Sequence, residues 1–142
     1  MVLSLTHKKS LKDDLFRKRK PQDDFVFDEE VADVFDDMVV RSIPGYETIV
    51  STIGGFAKKY YRADSNIYDL GCSLGGVTFE ICKQLRESDF NLIAIDNSEA
   101  MIERLVERKA IIGGLENSVK IVCGDINDTT IENASVVILN FT

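Results

Sequence analysis

Asn66-Ile-Tyr-Asp-Leu-Gly-Cys-Ser-Leu-Gly-Gly76 decides how the rest of this chain is read. A short apolar strand ends in Asp69, turns through glycines and enters a helix. In an open α/β sheet such a turn lies at the carboxyl end of a strand, where nucleotide-like ligands sit, and small residues let the backbone approach them. Twenty-five positions after Gly71 a second apolar strand, Leu92-Ile-Ala-Ile95, ends in Asp96-Asn97. A carboxylate at that place is suited to accept hydrogen bonds from the two hydroxyls of a ribose.

Outward from this turn the chain alternates. A strand over 66–69 leads to a helix over 76–86, and a strand over 91–95 leads to a helix over 99–112 with Ser98 as N-cap and Gly113-Gly114 as its stop. A strand over 119–123 runs into Gly124-Asp125-Ile126, and Ser135-Val-Val-Ile-Leu139 is a nearly all-apolar fourth strand, the pattern of one buried on both faces. Strand–helix alternation with apolar strands predicts a mostly parallel sheet flanked by helices. Upstream, Val31, Val34, Phe35, Met38 and Val39 follow helical spacing from Phe27 onward, Ser42 to Tyr46 is a Pro-Gly break, and Ile49, Val50, Ile53 and Ala57 mark a second helix. Tyr46 is either an edge-of-core aromatic or a hydroxyl reaching a cleft, and the residues alone favour the first. These elements divide the chain into a basic, loosely ordered arm (1–24), a helical segment (25–62) and an α/β domain (63–142). Four strands form only part of a doubly wound sheet, so a further C-terminal portion, or a partner over the last strand, is expected.

Length and composition allow one domain with a real core: 142 residues, 44% hydrophobic and 29% charged. No apolar run approaches the roughly 20 residues of a membrane span, and the N-terminus lacks the apolar middle of a secretory signal. A cytoplasmic, non-membrane protein is expected. The net charge of −7 hides an asymmetry, since residues 1–20 hold seven basic side chains and two acidic ones, whereas the remainder holds ten basic against 22 acidic. So acidic a domain is a poor generic nucleic-acid binder. Cys72, Cys82 and Cys123 are odd in number and lack a CxxC pair, which disfavours a metal or disulfide framework. Cys82 and Cys123 are expected as buried small hydrophobes, and Cys72 as a tightly packed turn residue.

Gly71-Cys-Ser-Leu-Gly75 matches the G-x-S-x-G nucleophile elbow, but that chemistry needs a histidine after the serine, and the sole histidine is His7. As a dinucleotide fingerprint the turn is imperfect too, with Ser73 in place of the second glycine. That suits a ligand with a ribose and a charged amino-acid tail better than a pyrophosphate. Three acidic strand ends in series, Asp69, Asp96 and Asp125, are more informative together than any one, each of which could be an ordinary helix N-cap.

Asp69-Leu-Gly-Cys-Ser-Leu-Gly75, Ile95-Asp-Asn-Ser98, Gly124-Asp-Ile126 and Val137-Ile-Leu-Asn-Phe-Thr142 together resemble the ordered motifs of class I S-adenosylmethionine-dependent methyltransferases. Asp33-Val-Phe-Asp-Asp-Met38, Arg41-Ser-Ile-Pro-Gly-Tyr46 and Asp96-Asn-Ser-Glu-Ala-Met-Ile-Glu-Arg104 narrow the resemblance to the carboxy-S-adenosylmethionine synthase family of bacterial tRNA wobble-uridine modification. The likeness runs from about Phe25 to Thr142 and leaves out the basic arm. It implies a Rossmann-like fold, here incomplete after the fourth strand, and S-adenosylmethionine, its carboxylated form or S-adenosylhomocysteine as ligand. Gly71, Cys72 and Ser73 would line the methionine side, Asp96 and Asn97 take the ribose, Asp125 and Ile126 flank the adenine, and Asn140 and Tyr46 complete the site. In that family prephenate gives up carbon dioxide, the sulfonium ylide formed from the cofactor captures it, and phenylpyruvate leaves. An electrostatic site can promote this without histidine or metal, so no metal is expected. No catalytic residue is assigned, because the family's prephenate contacts fall beyond the matched region. A homodimer is implied. The alternatives are an ordinary methyltransferase acting on tRNA or a small molecule, and a non-catalytic binding module.

Overall fold

The structure is a computed structural model and describes residues 29–142, with side chains from Phe35 onward. The basic arm (1–24) and the first residues of the helical segment lie outside the described residues.

Two helices come first, α1 (Glu29–Ser42) and α2 (Tyr46–Tyr60). Pro44-Gly45 separates them, with Gly45 in the left-handed region (φ 73°) at the N-cap of α2, a conformation glycine adopts without a Cβ penalty. Then follow β1 (Asn66–Leu70), α3 (Gly76–Gln84), β2 (Asn91–Asp96), α4 (Glu99–Ile112), β3 (Val119–Cys123), a 3₁₀ turn (Ile126–Asp128) and β4 (Ala134–Leu139). The alternation expected from the sequence is the one observed. The largest shift is at α3, whose end falls two residues earlier than expected, where the Leu85 N–H bonds to the Ile81 carbonyl. Ser98 caps α4 by accepting from the Met101 N–H, as its position predicts.

The four strands form one parallel sheet in the order β3-β2-β1-β4. Register pairs Leu70 with Ile95 and Asp96 with Cys123, so the carboxyl ends of the three inner-to-outer strands β1, β2 and β3 come level. One face carries Ile67, Leu92, Ala94, Val119 and Ile138, packed with Val50 and Ala57 of α2, Val77 and Ile81 of α3 and Leu105 of α4. Complete burial of a side chain such as Ile67 or Leu92 contributes about 1.5–3 kcal/mol. The other face carries Tyr68, Leu70 and Ile95, joined by Ile93, Val122, Ile126 and Ala134.

One expectation is corrected, that for Cys123. On β4, Ile138 is buried while Val137 and Leu139 are 43% and 62% exposed, in line with the expectation that a further portion or a partner lies over the last strand. Among the described residues β4 pairs only with β1, so it is an edge, and nothing here covers its outward positions. Cys123 is exposed, because β3 is the opposite edge and Cys123 ends it, whereas Cys82 and Cys72 are buried as expected. Burial pushes the Cys82 thiol up to about 11 and the Cys72 thiol higher still, the latter helped by Asp69 and Asp96, so both stay protonated near neutral pH.

Candidate functional site

The glycine turn after β1 is stitched to the end of β2. The Gly71 and Cys72 N–H groups both donate to the Ile95 carbonyl, at 2.8 and 2.9 Å. Ser73, at φ 49°, turns its N–H onto Asp96 Oδ2 at 2.9 Å, while Ser98 N–H donates to Asp96 Oδ1 at 2.9 Å. Asp96 is thus 8% exposed and ties the turn to the start of α4. Each of its oxygens keeps a further lone pair, since an ionised carboxylate offers about four acceptor sites.

Asp69 is used differently. Its Oδ2 accepts from Thr78 Oγ1 at 2.6 Å, with both groups wholly enclosed. Burial pushes its carboxyl up to about 6; Asp96 adds to the rise, and the bonds from Thr78 oppose it. Asp125 caps the 3₁₀ turn, its Oδ1 accepting from the Asn127 backbone N–H and side-chain amide, both at 2.8 Å.

Around these groups lie two adjoining cavities. The wider, about 320 Å³, is lined by Asp96, Asn97, Asp125, Ile126, Asn127 and Thr142. The narrower, about 50 Å³, lies between the turn and α1 and includes Asp36, Tyr46, Asp69, Cys72 and Asn140 in its walls. Gly71, Ser73 and Phe141 border both. All nine residues singled out from the sequence, Tyr46, Gly71, Cys72, Ser73, Asp96, Asn97, Asp125, Ile126 and Asn140, therefore face this double cleft. Tyr46 reaches it from α2, its hydroxyl 2.8 Å from where a Cβ on Gly76 would stand. Burial, then Asp36 and Asp69, raise its pKa. A side chain at Gly71 (φ 75°) would collide with Thr142, whose hydroxyl bonds the Leu70 carbonyl at 2.9 Å.

Sequence reasoning missed three contributors. Phe141 lay inside a quoted motif but was not singled out. Asp36 and Arg108 are brought together by the fold: Arg108 of α4 pairs with Asp36 of α1 and donates to the Leu74 carbonyl at 3.2 Å. With Phe35 packed on Leu74 and Met101, this seats α1 as a roof over the narrow cavity.

The sequence profile of the methyltransferase-domain family matches residues 67–141. The chain belongs to that family. This methyltransferase domain is 53% identical over 135 residues to the carboxy-S-adenosyl-L-methionine synthase of Shewanella piezotolerans, covering 94% of this chain and 55% of that protein. The synthase of Pseudoalteromonas translucida is 46% identical over 135 residues, with the same coverage of 94% and 55%. The chain thus spans about half the length of the curated relatives it matches. A solved structure from Methanococcus maripaludis, assigned to the S-adenosyl-L-methionine-dependent methyltransferases, superposes with a TM-score of 0.62 at 21% identity, covering 84% of this chain and 52% of that one. Streptomyces venezuelae DesVI superposes at 0.55 and 18% identity, covering 82% and 45%. Both show the fold of the domain. Among the described residues, no helix is long and apolar enough to cross a membrane.

Proposed function

We propose that this methyltransferase domain binds S-adenosylmethionine and forms part of a carboxy-S-adenosylmethionine synthase, which converts that cofactor and prephenate to carboxy-S-adenosylmethionine, phenylpyruvate and water, the water taking the ring hydroxyl of prephenate and a proton of the cofactor methyl group. The observation that carries the reading is the 53% identity to a synthase of that name over 94% of the chain.

The donor set fits the ligand. Asp96 has acceptor capacity left for two ribose hydroxyls, Asn97 stands beside it, and Asp125 Oδ2 is free to accept from an adenine amine against the apolar edge of Ile126. Gly71, Cys72 and Ser73, with Asn140 and Tyr46, surround the place for the methionine tail. The sulfonium of the bound cofactor supplies the acidic carbon to be carboxylated. The chain's own residues bind and orient the cofactor and screen its centre from water. Cytoplasmic work in tRNA wobble-uridine modification, as a homodimer with no nucleic acid or membrane bound directly, belongs to the same reading.

The test is to incubate the purified protein, extended to the length of the relatives it matches, with S-adenosylmethionine and prephenate and to analyse released nucleosides by mass spectrometry. The expected result is a carboxylated sulfonium nucleoside with matching phenylpyruvate. Methyl transfer to an acceptor without that product would overturn the synthase reading in favour of an ordinary methyltransferase. Cofactor binding without either product would reduce the chain to a binding module.

A further inference from the structure

We propose that Phe141, stacked on Tyr46, is the residue that recognises the positive charge at the centre of the ligand. The inference rests on the cofactor reading above and deepens it. Phe141 follows β4 in the left-handed region (φ 55°), which a bulky aromatic residue seldom occupies. Its neighbour Thr142 anchors the segment on Leu70 and against Gly71, so the Phe141 ring is carried to a set place rather than left swinging. There its centroid lies 6.3 Å from that of Tyr46 with 29° between the planes.

The place matters. Gly71 and Ser73 of the glycine turn border both cavities, and so does Phe141. A ligand with its nucleoside in the wide cavity and its tail in the narrow one has its middle atoms between them. In S-adenosylmethionine the middle atom is the sulfonium sulfur. The charged side chains of the narrow cavity are Asp36 and Asp69, and no lysine or arginine lines it among the described residues. The Asp69 carboxylate and an aromatic face both favour a cation there, the ring through its quadrupole, while Asp36 is already paired with Arg108. S-adenosylhomocysteine differs from the cofactor by one methyl group and that charge, so the wall discriminates between the two.

The experiment is calorimetric titration of the wild type, Phe141→Leu and Phe141→Tyr with S-adenosylmethionine and with S-adenosylhomocysteine. Phe141→Leu should weaken S-adenosylmethionine by about 5- to 30-fold, the range of a partly desolvated cation–π contact, while moving S-adenosylhomocysteine by no more than about twofold. Phe141→Tyr, which keeps the ring, should restore the wild-type ratio. Equal losses for both ligands would make Phe141 a simple wall, and no loss for either would remove it from the site; each result overturns the proposal. A wild type that binds neither ligand would overturn the cofactor reading itself, and the proposal with it.

Discussion

The two cavities of the cleft are built on opposite plans. The side proposed for the nucleoside is wide, about 320 Å³, with Asp125 exposed and the buried Asp96 in its wall. The tail side has about 50 Å³, room for a few waters, with a roof helix above it and an enclosed carboxylate beneath. The first is preformed and can accept its ligand by rigid docking. The second is too small for an amino-acid tail until α1 gives way. Affinity is therefore expected to reside in the nucleoside side, and pH dependence and exchange rate in the tail side.

The largest expected effect tests that division directly. Asp96→Ala removes the proposed ribose acceptor and two backbone anchors, and should weaken S-adenosylmethionine about 100-fold or more, since each hydrogen bond to a charged group is worth about 1.5–3 kcal/mol. Asp125→Ala, at an exposed position, should cost about tenfold or less. Titration calorimetry on both, with circular dichroism to confirm folding, would break the comparison if the two losses were equal.

Next comes pH. In the free protein the Asp69 carboxyl is held up to about 6, so it is largely protonated below that value and ionised above it. A cation seated near it favours the ionised form, so affinity for S-adenosylmethionine should climb as pH rises from 5 to 7, by up to about tenfold per unit below the midpoint. Asp69→Asn should flatten the climb. The same raised value acts on stability with the opposite sense. The folded chain holds this proton more tightly than the unfolded one, so its contribution is complete below about pH 4 and is lost as pH rises through about 6, on the order of 3 kcal/mol in all. Urea midpoints of wild type minus Asp69→Asn across that window measure it, and a flat difference would show that Asp69 is ionised throughout.

The smallest effect concerns the roof. Arg108→Met frees Asp36 and the Leu74 carbonyl, and the partly exposed pair it breaks is worth about 1 kcal/mol or less. Stability should barely change, but stopped-flow binding and release of S-adenosylmethionine should both quicken by about two- to fivefold. Unchanged rates would show that α1 does not control entry.

What was legible in the sequence follows the same division. The strands, the glycine turn and the acidic strand ends are local patterns of period and turn chemistry, and the positions of Gly71, Ser73, Asp96 and Asp125 at the cleft follow from them. Tyr46 was ambiguous as a residue and reached the site reading only through the family resemblance, because its placement depends on how α2 packs over α3. Arg108 and Asp36 are 72 positions apart and meet only after α1 folds over the turn. Cys123 was misread because an apolar pattern tells how hydrophobic a strand is, not whether it ends up inside the sheet or at its edge.

Asp96 carries one more implication. Its carboxylate braces the scaffold and lines the wide cavity at once, so mutational drift there is filtered by folding before it is filtered by chemistry. Descendants of this domain that acquire a different nucleoside preference must do so by changing peripheral positions such as Asn97, Asp125 and Asn127, which can vary without unfastening the glycine turn. Selection on ligand choice is channelled to the rim, and the centre is inherited nearly unchanged.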